Sequence, residues 1–122
     1  MRTGKVQSFT DLNAWQEAHR LLLLTYRYTK LFPKDEQFIL VSQMRRCALS
    51  ISSNIAEGFG RKTAKDKLRF YTIAQGSTTE LQNQLLASRD LAYLSSEDFA
   101  IVAAQTVTVR KLIHGLMRSL QA

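Results

Sequence analysis

The chain has 122 residues, 45% hydrophobic and 22% charged, with one proline and five glycines; 17 Lys and Arg against 10 Asp and Glu give a net charge of +7. Its length is that of one ordinary domain, and its apolar content is too high for a disordered chain. Because turn-forming residues are too few for an all-β sandwich, we expect a compact, mostly helical protein.

The first two predicted helices lie on either side of Pro33, which ends the first one. Over about 11–31, residues recur at the three-four spacing of an amphipathic helix. They are Leu12, Trp15, His19, Leu22, Tyr26 and Thr29. The second helix is predicted over about 36–57, with acids at its start and Gly58 as a left-handed C-cap. Its apolar stripe consists of Leu40, Met44, Cys47, Ile51 and Ile55.

The third and fourth predicted helices cover about 63–93 and 96–121. Thr63 stands three residues before Asp66, as in a capping box, and Ser95 or Ser96 caps the fourth helix ahead of two acids. Heptad spacing links Phe99, Val102, Thr106, Val109, Ile113, Leu116 and Leu120. No segment alternates like a strand, and short connections favour antiparallel neighbours. We therefore predict that residues 1–122 form one all-α domain, an up-down-up-down antiparallel four-helix bundle.

Two runs of apolar residues, Leu21–Leu24 and Phe38–Val41, exceed what one bundle core can bury. Successive side chains step around a helix by about 100°, whereas a core takes about three positions in seven. The alternative is a few singly exposed apolar residues, but two runs favour a second interface in a symmetric oligomer. The predicted interface residues are Leu21, Leu23, Leu24, Phe38 and Ile39. Gly76 costs a helix ~1 kcal/mol relative to Ala, so we expect a steric reason for it.

Patterns of catalytic and metal-binding residues are incomplete. The segment 58–63 lacks the glycine directly before lysine that a phosphate-binding loop requires. Neither His19 nor His114 has a glutamate three residues before it, as a di-iron bundle would need. Cys47 lies on an apolar stripe and is expected to be an inert core thiol, while Glu57 is expected to pair with an arginine or with backbone. We expect no enzyme, no cofactor and no metal site.

Basic charge is concentrated between residues 45 and 69, which hold seven basic and two acidic residues, or +5 of the net +7. The basic residues are Arg45, Arg46, Arg61, Lys62, Lys65, Lys67 and Arg69. Such a cluster suits phosphate, although a solvated surface is the alternative. Free N–H groups at the start of the third helix would add to a phosphate site. Phe59 is expected either to stack on a base or to pack as a hydrophobic staple.

A single cysteine excludes an intramolecular disulfide and fits a reducing compartment. The N-terminal residues show no apolar run of signal-peptide length, and Leu21–Leu24 is far short of the ~20 residues that span a bilayer. We expect a cytoplasmic protein without a membrane segment.

Spaced motifs over nearly the whole chain resemble one bacterial family. The chain opens with Asp11-Leu12-x-x-Trp15 and continues through Gln43-Met44-Arg45-Arg46 to Ser50-x-x-x-Asn54-Ile55-Ala56-Glu57-Gly58-x-Gly60-Arg61. It then reads Phe70-x-x-x-Ala74-x-Gly76-Ser77-x-x-Glu80-Leu81. This pattern resembles the four-helix-bundle proteins encoded in intervening sequences of bacterial 23S ribosomal RNA genes. That family is also similar to the accessory protein of diversity-generating retroelements, a basic pentameric bundle that associates with reverse transcriptase and nucleic acid.

The resemblance implies a homopentamer and no catalysis. Two function hypotheses follow from the residues and the resemblance together. One is a homo-oligomer that binds RNA or DNA through the seven basic residues, by backbone electrostatics. The other is a protein-binding scaffold, or an accessory subunit of an enzyme such as a reverse transcriptase, in which the charge gives steering and solubility.

Overall fold

The computed structural model describes residues 5–121, so residues 1–4 and 122 of the predicted domain lie outside the described residues. Within 5–121 the chain forms four long helices and no strand, which confirms the all-α prediction. The helices are α1 (Asn13–Thr29), α2 (Ser42–Phe59), α3 (Ala64–Asp90) and α4 (Ser96–Ser119). A 3-10 turn, Phe9–Asp11, precedes α1, while a 3-10 turn, Lys34–Glu36, and a π-helical turn, Gln37–Val41, precede α2.

The starts of α3 and α4 follow from their capping residues. The Thr63 hydroxyl accepts from the Asp66 amide at 3.1 Å, and the Ser95 hydroxyl accepts from the Asp98 amide at 3.1 Å. Each hydroxyl thus satisfies one of the amides that a helix start leaves free. The start of α1 differs from the predicted residue 11, because the chain first makes the 3-10 turn and then extends at Leu12.

The expected left-handed C-cap at Gly58 is wrong. Helix α2 continues through Phe59, and its C-cap is Gly60, with a right-handed φ of −78°. Gly58 is instead buried against α3, where a Cβ atom built on it would lie 2.7 Å from Cε1 of Tyr71. Glycine is therefore required at this position by the close approach of a ring, and backbone conformation is not the reason.

Helix α3 ends at Asp90, three residues before the predicted end. Ala92 adopts a left-handed φ of 62°, and the Tyr93 amide donates to the Ser88 carbonyl at 2.9 Å. This is the arrangement in which the backbone after a helix turns back to satisfy its last carbonyls. The sequence shows no glycine there, so apolar periodicity alone extended the prediction.

The core lies along the shared axis of the helices, with α1 packed against α2 and α4, and α3 packed against the same two helices. The predicted stripes of α2 and α4 face this core. Met44, Ile51 and Ile55 are buried on α2, and Val102, Val109 and Ile113 are buried on α4. Long aliphatic side chains at three-four spacing bury the most apolar surface this way, which is why both stripes could be read from the sequence.

The core-facing side of α1 differs from the predicted stripe by about one residue. The buried positions are Ala14, Ala18, Leu21, Thr25 and Thr29. The Thr25 and Thr29 hydroxyls donate to the carbonyls of Leu21 and Thr25, each at 2.7 Å, so their burial leaves no polar group unpaired. Small side chains bring α1 close to its neighbours, while the bulkier Trp15 and Leu22 flank the contact.

Small residues also set the contact between α2 and α3. The Ser50 and Ser77 hydroxyl oxygens lie 2.8 Å apart, and the Asn54 amide donates to the Ser50 carbonyl at 2.8 Å. Ala74 is completely buried beside them. Gly76 is different, because a Cβ atom there would meet nothing within 4 Å. The expected steric reason for Gly76 is therefore absent from the described part of this chain.

Candidate nucleic-acid interface

The seven predicted basic residues do not form one surface. Arg45 and Arg46 lie near the start of α2, and a rise of about 1.5 Å per residue puts them roughly 20 Å from Phe59 at the other end of the helix. The remaining five surround the turn between α2 and α3 and the first turns of α3; we call these the α2–α3 cluster: Arg61, Lys62, Lys65, Lys67 and Arg69. The seven residues lie in one stretch of sequence, 45–69, but the length of α2 separates Arg45 and Arg46 from the other five.

Two arginines of the α2–α3 cluster lie against the ring of Phe70. The guanidinium carbons of Arg61 and Arg69 lie 4.5 and 4.7 Å from the centroid of Phe70, within cation–π range. Arg61 also pairs with Glu57 at 3.0 Å, and Arg69 lies 3.9 Å from Asp66. The expected pairing of Glu57 with an arginine is confirmed. These pairs are half exposed and contribute little to stability, but they hold both guanidinium groups in place.

Lys67 has a structural role that the sequence did not reveal. Its ammonium donates to the Phe59 carbonyl at 2.6 Å and to the Gly58 carbonyl at 3.4 Å, and lies 5.4 Å from the Phe59 ring centroid. It therefore satisfies the Phe59 carbonyl at the end of α2 and gives the Gly58 carbonyl, which also accepts from the Arg61 amide, a second donor. Lys67 therefore stabilises the end of α2 and is not a free surface charge. Its ammonium also lies against the half-buried Phe59 ring.

Lys62 and Lys65 are the freest cations of the α2–α3 cluster. Both are exposed, and neither makes an ion pair or a side-chain hydrogen bond with any residue of the described range 5–121. Beside them a shallow depression of about 530 Å³ is lined by Ser53, Ala56, Glu57, Gly60 and Arg61. Ammonium groups with this freedom can follow phosphate oxygens at little cost in lost internal contacts.

A second group of basic residues, on α4, was missed by the sequence analysis. Arg110, Lys111, His114 and Arg118 are all exposed, and we call them the α4 stripe. Gln75 on α3 donates to the Arg110 carbonyl at 3.1 Å, and Gln82 donates to the Thr106 hydroxyl at 3.1 Å. Lower residue numbers on α3 therefore lie beside higher residue numbers on α4. The α4 stripe, which lies in the C-terminal part of α4, consequently extends toward the first turns of α3.

The α2–α3 cluster and the α4 stripe together make the basic end of the molecule. Spacing of four residues between Arg110, His114 and Arg118 places these three on one helix face. This four-residue spacing could have identified the stripe from the sequence, but it was not accompanied by a contiguous run of charged residues. Only the packing of α4 beside α3 joins the two groups.

Arg45 and Arg46 belong to a different surface, an aromatic groove of about 410 Å³. The Arg45 guanidinium carbon lies 4.4 Å from the Tyr26 ring centroid, and its Nε donates to the Thr29 hydroxyl at 3.0 Å. The groove is lined by Tyr26, Gln37, Phe38, Val41, Ser42, Arg45, Arg46 and Leu49. Two predicted binding arginines therefore share a surface with Phe38, a predicted interface residue.

The predicted interface residues do not all reach the surface. Phe38, Ile39 and Leu23 are 87%, 65% and 57% exposed, and Leu24 is partly buried. Leu21 is 0% exposed, so its assignment to an interface is wrong. Its side chain fills the core because the buried side of α1 passes through Leu21 and not through Leu22.

Cys47 lies between α2 and α3 and is almost fully buried. Its thiol donates to a Glu80 carboxylate oxygen at 3.0 Å, and the Gln84 amide lies 3.5 Å from the sulfur. Burial, together with the hydrogen bond to Glu80, raises the pKa of the Cys47 thiol from 9.0 to about 12. A thiol that stays protonated at neutral pH is a poor nucleophile, in keeping with the expected inert role.

Cys47 makes stability depend on pH above 9. The unfolded thiol loses its proton above its pKa of 9.0, whereas the folded thiol keeps it to about 12, so the folded state binds more protons in that window. Folding stability should therefore fall as the pH rises from 9 to 12. Urea unfolding at pH 8 and pH 10 should show a larger loss for the wild type than for Cys47→Ala. An equal loss in both proteins would contradict this assignment.

No three His, Cys, Asp or Glu side chains among residues 5–121 are grouped as a metal ion would need. Nor is any of the four helices long and apolar enough, over the same range, to cross a membrane.

Comparisons with known proteins place these features in context. A sequence model of the family described as 23S rRNA-intervening sequence protein matches residues 10–115. No curated protein matches the chain. Among solved structures, the chain is similar to a protein with unknown function from the S23 ribosomal protein family of Bacteroides thetaiotaomicron VPI-5482. It is 18% identical, with a TM-score of 0.78 over 86% of this chain and 95% of that chain, which shows a shared fold.

Proposed function

This chain belongs to the 23S rRNA-intervening sequence protein family, and we propose that it is a non-enzymatic, cytoplasmic homo-oligomer that binds RNA or DNA through the phosphate backbone. The observation that carries the proposal is the basic end. Exposed Lys62 and Lys65 have no anionic partner among the described residues, and the α4 stripe lies beside the same end of α3. Phosphate contacts of this kind supply most of the affinity in sequence-independent binding.

The topology we propose is the up-down-up-down antiparallel bundle. Contacts between α2 and α3 support it, because Met44, Cys47 and Ser50 meet Ser88, Glu80 and Ser77. As residue numbers rise along α2, those of the contacting residues on α3 fall, and the same is true between α3 and α4. The two helices of each pair are therefore antiparallel.

Self-association is proposed through the exposed apolar residues of α1 and of the π-helical turn. Leu23, Phe38 and Ile39 are exposed, and Leu24 is partly buried. Such a group of large apolar side chains on one small protein is typical of an interface between chains. A symmetric ring, a pentamer by the resemblance, would repeat the basic end once per subunit and let weak contacts act together.

The Lys62→Glu/Lys65→Glu variant tests the binding proposal. Fluorescence anisotropy of labelled RNA and DNA at two salt concentrations should show weaker binding than for the wild type. The slope of log affinity against log salt should be shallower by about 0.9 for each lost contact with duplex, because fewer counterions are released.

The matched control is Lys30→Glu/Lys34→Glu, which has the same net charge but alters the turn between α1 and α2. This variant should retain most of the affinity. Equal losses in the two variants would show that overall charge, and not the basic end, governs binding. Unchanged affinity in Lys62→Glu/Lys65→Glu would reject the assignment of the site.

The alternative function is a scaffold for a protein partner, such as a reverse transcriptase. One observation favours it: an apolar groove of about 250 Å³ between α3 and α4, bordered by the exposed Leu86 and Val107. The same anisotropy assay separates the two functions. Lack of binding to either nucleic acid at low salt would contradict the first proposal and favour the scaffold.

A further inference from the structure

The aromatic rings at the basic end already carry cations. The guanidinium groups of Arg61 and Arg69 both lie over Phe70, at 4.5 and 4.7 Å from its centroid. The Lys67 ammonium lies 5.4 Å from the centroid of the half-buried Phe59 ring. Tyr71, the next residue after Phe70, is 3% exposed. Phe59 and Phe70, the partly exposed rings of this group, are thus each engaged by at least one cation, and Tyr71 is buried.

Free aromatic faces are what proteins use to hold unpaired bases. Single-stranded sites combine a basic groove with rings on which successive bases stack. At the basic end the cations are present, but the phenylalanine rings serve to position them. The single ring in the α4 stripe is the imidazole of His114, a small platform beside three cations. The chemistry on offer is therefore contact with phosphate and sugar.

The free cations of the basic end lie in two rows. Lys62 and Lys65 form one row, before and at the start of α3, while Arg110 and Arg118 belong to the other, along the last turns of α4. Packed helices lie about 8–10 Å apart, comparable with the groove widths of ~6 and ~12 Å in a B-form duplex. Two rows at such a separation can contact two phosphate strands at once.

We propose that the basic end binds double-stranded nucleic acid along both phosphate strands, without base stacking. This inference rests on the proposed nucleic-acid-binding function and names its ligand class. The α2–α3 cluster contacts one strand and the α4 stripe contacts the other. A single strand meets only one row at a time, so it binds more weakly than a duplex of equal length.

The test uses four labelled probes of one length: an RNA duplex, a DNA duplex, and an unstructured single strand of each. Anisotropy titrations across a salt series should show tighter binding to the duplexes. In Arg110→Gln/Arg118→Gln, the salt slope for a duplex should fall by about 1.8, or about 0.9 for each lost phosphate contact. Binding to single strands should change much less. The RNA and DNA arms identify which duplex is preferred.

Arg27→Gln/Lys30→Gln serves as a control, because it removes the same charge from the far end of α1 and should leave duplex binding nearly unchanged. Single strands bound as tightly as duplexes would overturn this inference while leaving the proposed function standing. An Arg110→Gln/Arg118→Gln variant that binds duplexes like the wild type would also overturn it. Failure to bind any probe at low salt would overturn the proposed function itself.

Discussion

The Phe38→Glu variant is expected to sediment as a smaller species than the wild-type chain. Phe38 is 87% exposed on the π-helical turn before α2, and Leu23 and Ile39 are other large exposed apolar residues of the predicted interface. Buried aromatic residues at the centre of an interface contribute about 2–4 kcal/mol, and a charge placed there would also lose its hydration. In a closed ring the loss recurs at every contact. Analytical ultracentrifugation over a range of protein concentrations measures the effect.

Leu86→Glu is the matched control for self-association. Leu86 is 43% exposed and borders a groove lined by residues of α3 and α4, whereas the predicted interface residues lie on α1 and the π-helical turn. This variant should keep the wild-type mass. If Leu86→Glu dissociates the protein and Phe38→Glu does not, the interface lies on the α3–α4 side and our assignment is wrong. Circular dichroism of both variants establishes that the helices remain folded.

Gly58→Ala is expected to destabilise the fold despite placing a better helix former in α2. The added Cβ would lie 2.7 and 2.9 Å from two Tyr71 ring carbons and 3.1 Å from Cβ of Phe70. Because Tyr71 is buried, the ring can yield only by shifting α3 or other core residues. Overpacking of this kind costs about 1–3 kcal/mol, a large part of the roughly 5–15 kcal/mol that holds a domain folded.

Gly76→Ala makes the same chemical change at a position with no atom within 4 Å of the new group. It should gain about 1 kcal/mol from helix propensity alone. The difference between the two variants in urea unfolding, at one protein concentration, therefore isolates the packing against Tyr71. Equal stabilities would show that the ring moves aside without cost. A Gly76→Ala variant that loses assembly would instead place Gly76 in a contact between chains.

The motif that carries the family resemblance is largely structural in this chain. Ser50 meets Ser77, Asn54 donates to the Ser50 carbonyl, and Gly58 admits the Tyr71 ring. Glu57 pairs with Arg61 beside this contact. These residues fix α2 to α3 and, through Arg61, help to form the basic end. The motif thus specifies how the surface is built, and the free lysines and the α4 stripe supply its charge.

Part of the candidate site could be predicted from sequence and part could not. The charge near the α2–α3 turn was visible because Lys62 and Lys65 are close in sequence. Assigning Arg45 and Arg46 to the same cluster failed, since a straight helix carries them about 20 Å away. The α4 stripe could not be found as a run of charged residues, because its cations are spaced along one face of the helix. Only the packing of α4 against α3 places them beside the α2–α3 cluster.

The sequence by itself determined the all-α class, the cap at Thr63, a serine cap at residue 95 or 96, and the core faces of α2 and α4. Capping is a local hydrogen bond, and large aliphatic side chains at three-four spacing leave little choice of buried face. Only the tertiary structure decided which side of α1 is buried. Alanines and threonines bury little apolar surface, so the buried face is selected by how closely these small side chains let the neighbouring helices approach. The same holds for Gly58 and for Lys67, whose roles depend on a ring and on carbonyls that another segment of the chain provides.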